Sequence, residues 1–224
     1  MERICVVGAG LVGSLFSTYL ARDGYEVHLY DRQPDPRRGR RPTGRSINLT
    51  LCERGFAALD RIGAGDRVRR IAAPCYGRYI HSIDGTVEYQ PYGNRREAIH
   101  SVARNELNDV LLDLALAQPG IRVHFEQKCL GIDLEAPEAT FQSLRSDAVT
   151  RCRADRILGA DGANSRVRAA MQGIPGFHQE QEFCEQAYKE ISVPPNAAGD
   201  WALPADAIHI WPRRHFMLIG FPNR

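Results

Sequence analysis

The stretch Arg3 to Gly13, Arg-Ile-Cys-Val-Val-Gly-Ala-Gly-Leu-Val-Gly, limits the fold more than any other in the chain. A short apolar run enters a GxGxxG motif, and Leu11, Leu15, Tyr19 and Leu20 then recur at helical spacing. A second apolar run, Glu26 to Tyr30, ends in a carboxylate, Asp31, followed by Arg32. Strand, glycine turn, helix and strand predict a βαβ unit whose helix N-terminus binds a pyrophosphate. The three glycines do different things. Gly8 turns the chain out of the strand, Gly10 lets the backbone reach the anion, and Gly13 lets helix and strand pack closely. Leu11 and Val12 open the helix, and Asp31 is placed to accept ribose hydroxyls. The motif by itself serves NAD and FAD equally.

With 224 residues and 43% hydrophobic content, the chain can bury a sizeable core as one large or two small domains. Its 29 basic and 27 acidic residues nearly balance, which points away from nucleic acid and anionic membrane partners. The densest basic patch, Arg37, Arg38, Arg40 and Arg41, lies among Pro34, Pro36, Gly39 and Pro42 and reads as a solvated loop. Six cysteines without a CxxC pair, and no secretory signal before the first strand, predict a reduced cytoplasmic setting. The seven histidines show no ligand spacing, so no metal site is expected. No run of about 18 apolar residues suggests a membrane span.

Beyond the βαβ unit, a helix is expected over Glu53 to Ile62. Two β-like runs, Tyr76 to Ser82 and Thr86 to Tyr89, flank Asp84-Gly85, a hairpin signal that suggests an inserted sheet. Residues 98 to 102 read as a strand, and Arg104 opens an amphipathic helix stopped by Pro119-Gly120. Ile121 to Phe125 is the third strand of a doubly wound sheet, 128 to 153 a β-meander, and 156 to 160 a return to the sheet. Strands are expected at 184 to 193, 207 to 211 and 215 to 221. Ending a sheet at that point leaves an edge uncovered, which predicts a longer natural protein.

The second informative stretch is Gly159 to Arg168, GADGANSRVR, in which a strand ends in Asp161-Gly162 and a helix begins at once. Free amides there can meet a ligand at the switch end of the sheet. With the N-terminal GxGxxG and with Arg104 at a helix start, this order of signals resembles the flavoprotein aromatic hydroxylases along all 224 residues. The resemblance implies FAD as cofactor and an α/β, p-hydroxybenzoate-hydroxylase-like fold. In that fold a Rossmann-like FAD-binding domain, parallel sheet plus β-meander, carries part of an inserted antiparallel substrate sheet. It implies a discontinuous FAD-binding domain over residues 1–75 and 97–178, with 76–96 and 179–224 as the substrate sheet, cut short.

Within that superfamily several segments resemble the kynurenine 3-monooxygenase family: GRSINL at 44–49, Tyr89 to Gly93, SVARNELN at 101–108, Tyr188-Lys189-Glu190, IHIWP at 208–212 and Phe221-Pro222-Asn223. By resemblance, Arg78 and Tyr92 hold the substrate's amino-acid carboxylate, and Arg45, Arg104, Leu130 and Val167 touch FAD beside the glycine-loop residues, Asp31, Arg32, Asp161 and Gly162. Ile208, Ile210, Met217, Ile219 and Phe221 line the ring pocket. The residues agree: a guanidinium fork and a phenol flanking one hairpin suit a carboxylate. His209 alternates with Ile208 and Ile210 and is expected on the opposite side of its strand.

The resemblance implies hydroxylation of L-kynurenine to 3-hydroxykynurenine in tryptophan degradation, with NAD(P)H and O2 and through a flavin C4a-hydroperoxide. The cofactor carries the hard chemistry, so no catalytic side chain is expected. Members of that family continue for about as long again, with further flavin and substrate residues. A salicylate-type hydroxylase, a non-catalytic nucleotide-binding fragment and an NAD-dependent dehydrogenase are the competing readings.

Overall fold

A computed structural model describes residues 1–38, 47–94 and 97–224. The first elements are β1 (Arg3–Val7), α1 (Leu11–Arg22), β2 (Glu26–Tyr30), β3 (Asn48–Leu51), α2 (Glu53–Arg61), α3 (Gly65–Ile71) and β4 (Ala73–Cys75). Then come β5 (Gly77–His81), β6 (Val87–Pro91), β7 (Ile99–Ala103), α4 (Arg104–Leu116) and β8 (Ile121–His124). The last are β9 (Gln127–Asp133), β10 (Glu138–Ser143), β11 (Val149–Arg153), β12 (Arg156–Gly159), α5 (Arg166–Met171), β13 (Ala207–Arg213) and β14 (Phe216–Gly220). The chain divides into two compact units, residues 1–44 with 108–187 and residues 45–107 with 188–224.

In the first unit an all-parallel sheet has the order β12-β1-β2-β8, with the pairs Val6–Leu158, Val6–Leu29 and Leu29–Val123 in register. Both faces of β1 are covered, which is why its sequence is a continuous apolar run. Ile4 and Val6 pack with Val27, Leu29, Leu112, Ala115 and Ile121. Cys5 and Val7 turn to the other face, where the antiparallel meander β11-β10-β9 brings Phe141, Ala139, Cys129 and Cys152, and α5 adds Val167. Tyr30 and Phe141 stack at 3.8 Å between ring centres. All six cysteines are free thiols, and a hydrogen bond to Cys152 together with burial pushes the Cys5 thiol far up, leaving it a core residue.

The second unit holds two sheets, β14-β13-β5-β6 and β3-β7-β4. In the former, β13 runs parallel to β5 and the outer pairs are antiparallel. The helix α2 has Glu53 in its first turn and Arg61 in its last, each favourable to the helix dipole. It ends where Gly63 takes a φ of +73°. Its Phe56 and Leu59 are buried, Phe56 meets His100 edge-on, and the Arg69 guanidinium lies 4.5 Å over Phe56 while gripping both oxygens of Asp60.

Two sequence expectations change, and three elements were not foreseen. Residues 47–75 and 97–107, expected with the glycine-motif domain, group with the second unit, where β3 and β4 hydrogen-bond to β7. Residues 184–193 form no strand: Tyr188, Ile191 and Val193 are all exposed, as is Phe183 just before them, so their alternation meets no neighbouring strand. The helix α3 and the strands β3 and β4 lack a long enough periodic signal to be foreseen. No helix of the described residues is long and apolar enough to cross a membrane.

Candidate functional site

The glycine loop is built as the motif requires. Gly8 has a φ of +106°, and a Cβ there would lie 2.6 Å from the carbonyl carbon of Ala160, on the loop after β12. A Cβ on Gly13 would lie 2.9 Å from the carbonyl carbon of Gly8 and nearer still to its oxygen. Both clashes are with backbone, so no side-chain rotation relieves them. Gly10 differs: a Cβ there would meet nothing within 4 Å. The space it leaves open lies beside the start of α1, which has no side-chain cap and no acidic residue in its first turn. The amides of Leu11, Val12 and Gly13 thus keep their donors for an anion, and the helix dipole adds to the attraction. These features fit the pyrophosphate of a dinucleotide.

Asp31 closes this loop. Its Oδ2 accepts the Ala9 N–H at 2.7 Å, and its Oδ1 accepts the Gln33 N–H at 2.7 Å. Each oxygen retains a lone pair, so a ribose hydroxyl can still donate to it. The carboxylate therefore fixes the loop, a structural role that the sequence did not suggest. Arg32 is exposed beside it. Arg37 pairs with Asp35 at 2.6 Å and Arg38 with Asp35 at 3.5 Å, and the Arg37 hydrogen bond holds the Asp35 carboxyl below its ordinary range. This part of the basic patch is thus engaged in its own loop, while Arg40 and Arg41 lie outside the described residues. So does Arg45.

On the loop after β12, Asp161 accepts the Ser165 hydroxyl at 2.6 Å and the Arg166 N–H at 2.6 Å. Ser165 in turn caps α5 by accepting the Arg168 N–H at 3.0 Å. Asp161 is thereby committed to shaping the turn, and Gly162, at a φ of +79°, and Ala163 stand exposed above it. Val167 is buried in the core and packs on Gly159, so only its main chain is free to meet a ligand. Leu130 projects outward from β9, opposite in parity to the buried Cys129. Arg104 is the first residue of α4, in the second unit.

Pairing in the four-stranded sheet decides which of the substrate candidates share a face. Arg78 stands opposite Ile208 on one side and Gln90 on the other, and Ile210 stands between Ile80 and Ile219. Met217 pairs with Pro212, and Phe221 continues the same parity one residue beyond β14. Arg78, Ile208, Ile210, Met217, Ile219 and Phe221 therefore belong to one face. Tyr92 extends the β5–β6 ladder through its N–H to Tyr76 O at 3.0 Å, which makes it the diagonal neighbour of Arg78 on that face. Burial pushes the Tyr92 phenol up, while the nearby Arg78 charge draws it down; the net rise keeps it a proton donor. Ile208 is only 4% exposed and belongs to the sheet's own core, whereas Met217 is 58% exposed.

His209 lies on the opposite face, stacked between Tyr79 and His81. Its Nε2–H donates to Pro204 O at 2.8 Å, leaving Nδ1 to accept from His81 Nε2–H at 2.9 Å. Two side-chain contacts were not marked by the sequence: Gln90 accepts from Arg78 Nε at 3.0 Å, and the Asn48 amide donates to Asn223 Oδ1 at 2.7 Å and so ties the GRSINL and Phe-Pro-Asn segments together. Among the described residues no cluster of three or more His, Cys, Asp or Glu side chains is suited to hold a metal ion.

A family model described as FAD binding domain matches residues 1–215. The chain belongs to this FAD-binding domain family. FAD is the family's cofactor, and the glycine loop, the uncapped α1 and Asp31 fit its adenosine diphosphate half. Kynurenine 3-monooxygenases of Salinispora tropica, Flavobacterium johnsoniae and Drosophila melanogaster are 43%, 44% and 41% identical, over 100%, 99% and 100% of this chain and 50%, 49% and 48% of their own length. The chain thus spans about half the length of the curated relatives it matches.

Among solved structures, the tetrameric 2-methyl-3-hydroxypyridine-5-carboxylic acid oxygenase aligns with a TM-score of 0.65 at 23% identity, covering 80% of this chain and 43% of that one. The p-nitrophenol 4-monooxygenase of Pseudomonas putida aligns with a TM-score of 0.64 at 22% identity, covering 76% and 44%. The fold is the p-hydroxybenzoate-hydroxylase-like fold of flavin monooxygenases.

Proposed function

We propose that the protein carrying this chain hydroxylates L-kynurenine to 3-hydroxykynurenine with FAD, NAD(P)H and O2. The observation that carries this reading is the single sheet face on which a guanidinium, a phenol and an apolar row occur together. Kynurenine matches that face in its own chemistry, with an α-amino-acid carboxylate at one end and an aromatic ring at the other. The names of relatives 39–44% identical along the whole chain support the same substrate.

FAD, when bound, supplies the activation of O2 and the transfer of oxygen to the ring. The amides of Leu11, Val12 and Gly13 would hold its pyrophosphate, Asp31 would accept its ribose hydroxyls, and Arg32, Leu130, Asp161, Gly162 and the Val167 main chain would complete its surroundings in the first unit. Arg78 and Tyr92 anchor the substrate carboxylate, and Ile210, Met217, Ile219 and Phe221 shape the space for the ring. Apolar walls exclude water, which would otherwise divert reducing equivalents to peroxide. The aniline amine already makes the ring electron-rich, so no side chain need ionise the substrate. The second unit's sheet then acts as the substrate platform and the parallel sheet as the cofactor platform.

The test uses the full-length protein. L-Kynurenine should stimulate NAD(P)H oxidation with stoichiometric 3-hydroxykynurenine, and salicylate should not. Stimulation by salicylate with no product from kynurenine would overturn the assignment.

A further inference from the structure

Arg78 is held by a directed chain of hydrogen bonds. Its Nε donates to Gln90 Oε1 at 3.0 Å, and Gln90 Nε2 donates to Glu88 Oε1 at 3.2 Å. The direction of this chain is fixed by chemistry. A guanidinium can only donate and a carboxylate can only accept, so the amide between them must turn its carbonyl to Arg78 and its NH2 to Glu88. The backbone supports it: Arg78 and Gln90 are register partners across β5 and β6, and Glu88 is two residues along the same strand on the same face.

Among the described residues, taking up Nε leaves the guanidinium's other four N–H groups, on Nη1 and Nη2, as an end-on fork suited to a carboxylate. Holding an arginine in one rotamer before the ligand arrives removes part of the ordering cost from binding. The partner's neutrality matters as well. A carboxylate at position 90 would pair with Arg78 and compete with the ligand, whereas an amide holds the guanidinium and leaves its charge available.

We propose that Gln90 is a positioning residue for the substrate carboxylate, presenting the Nη fork of Arg78 while Glu88 fixes the orientation of the Gln90 amide. This rests on the reading of Arg78 as the carboxylate anchor, and the experiment separates the two. Dissociation constants are measured in the full-length FAD-bound protein for L-kynurenine and for kynuramine, the analogue without the carboxylate. Gln90→Leu should weaken kynurenine about fivefold, the worth of one ordinary hydrogen bond, leaving kynuramine affinity and kcat at saturating kynurenine unchanged.

Gln90→Glu keeps the acceptor and the strand packing yet should weaken kynurenine more than Gln90→Leu does, because its carboxylate occupies the guanidinium. In Arg78→Ala, adding Gln90→Leu should cost nothing further, since the two residues act as one unit. Equal weakening of both ligands by Gln90→Leu would make Gln90 merely structural and overturn the proposal. So would unchanged kynurenine affinity in Gln90→Leu and Gln90→Glu alongside a weakened Arg78→Ala. Unchanged affinity in Arg78→Ala itself would instead bring down the anchor reading, and this inference with it. Should Gln90→Leu fail to fold, Gln90→Glu against the parent decides the same question.

Discussion

The glycine loop of the first unit and the sheet face of the second both offer binding groups, but they are built from different materials. In the loop the donors are main-chain amides, and the shape is enforced by clashes of hypothetical Cβ atoms against backbone at Gly8 and Gly13. On the sheet face the groups proposed to bind are side chains, held in place by strand register and by one another. A backbone site tolerates almost no change at its glycines and is indifferent to most side chains around them. A side-chain site is graded: each residue can be removed while the strand beneath it persists.

Four experiments bear on that contrast, beginning with the most severe. Gly13→Val puts carbon into the Gly8 carbonyl, and should cost about 2–4 kcal/mol of stability together with FAD binding. A yellow protein of parental thermal stability would break the backbone side of the comparison. Next, Arg78→Ala removes a charge-assisted fork, and should weaken kynurenine roughly 50-fold while the bound flavin spectrum stays parental. Joint loss of flavin and substrate affinity would mean that the two sites are not separable in this way.

Asp31→Ala should reduce FAD affinity roughly tenfold, as expected for a hydrogen bond to a charged group. Because Asp31 Oδ2 also holds the Ala9 amide, a fall in the melting temperature of the flavin-free protein should accompany it. Equal flavin retention by mutant and parent would count against the ribose role.

The smallest effect concerns pH. Burial lowers the imidazole pKa of His124 in the first unit and of His100 and His81 in the second. Nearby cations add to this, Arg122 at His124 and Arg213 at His81. A histidine depressed below its ordinary value of about 6.5 gives the unfolded chain the greater proton affinity. Its contribution to stability is therefore complete above that pH and lost as the pH falls below it. Thermal stability should decline on acidification from about pH 7.5 to about 5.5, less steeply in His124→Gln. An unchanged slope in that variant would assign the effect to the second unit.

The same contrast explains what could be read along the chain. Gly8, Gly10, Gly13 and Asp31 lie within 24 consecutive residues, and every requirement on them is local. The strand β1 is buried on both faces, so its apolar run was as clear a signal as its glycines. The hairpin was equally legible through Asp84-Gly85, where Gly85 takes a φ of +89° and Thr86 N–H bonds to Asp84 Oδ1. Counting outward from that turn would have put Gln90 opposite Arg78. The expected strand at 184–193 failed for the converse reason: alternation describes one strand, and a sheet requires a second.

The sequence by itself determined the nucleotide-binding loop, since glycines and a strand–helix junction act through steric limits that neighbours in the chain impose. The tertiary structure alone decided that Arg78, Ile208 and Ile219, as far as 141 positions apart, present one face. It also decided that Asp31 locks the loop it serves, and that Asn48 reaches Asn223. The parallel pairing of β13 with β5 obeys no local rule. It arises because burying apolar side chains and satisfying backbone hydrogen bonds are requirements on the whole fold, met only when distant strands come together.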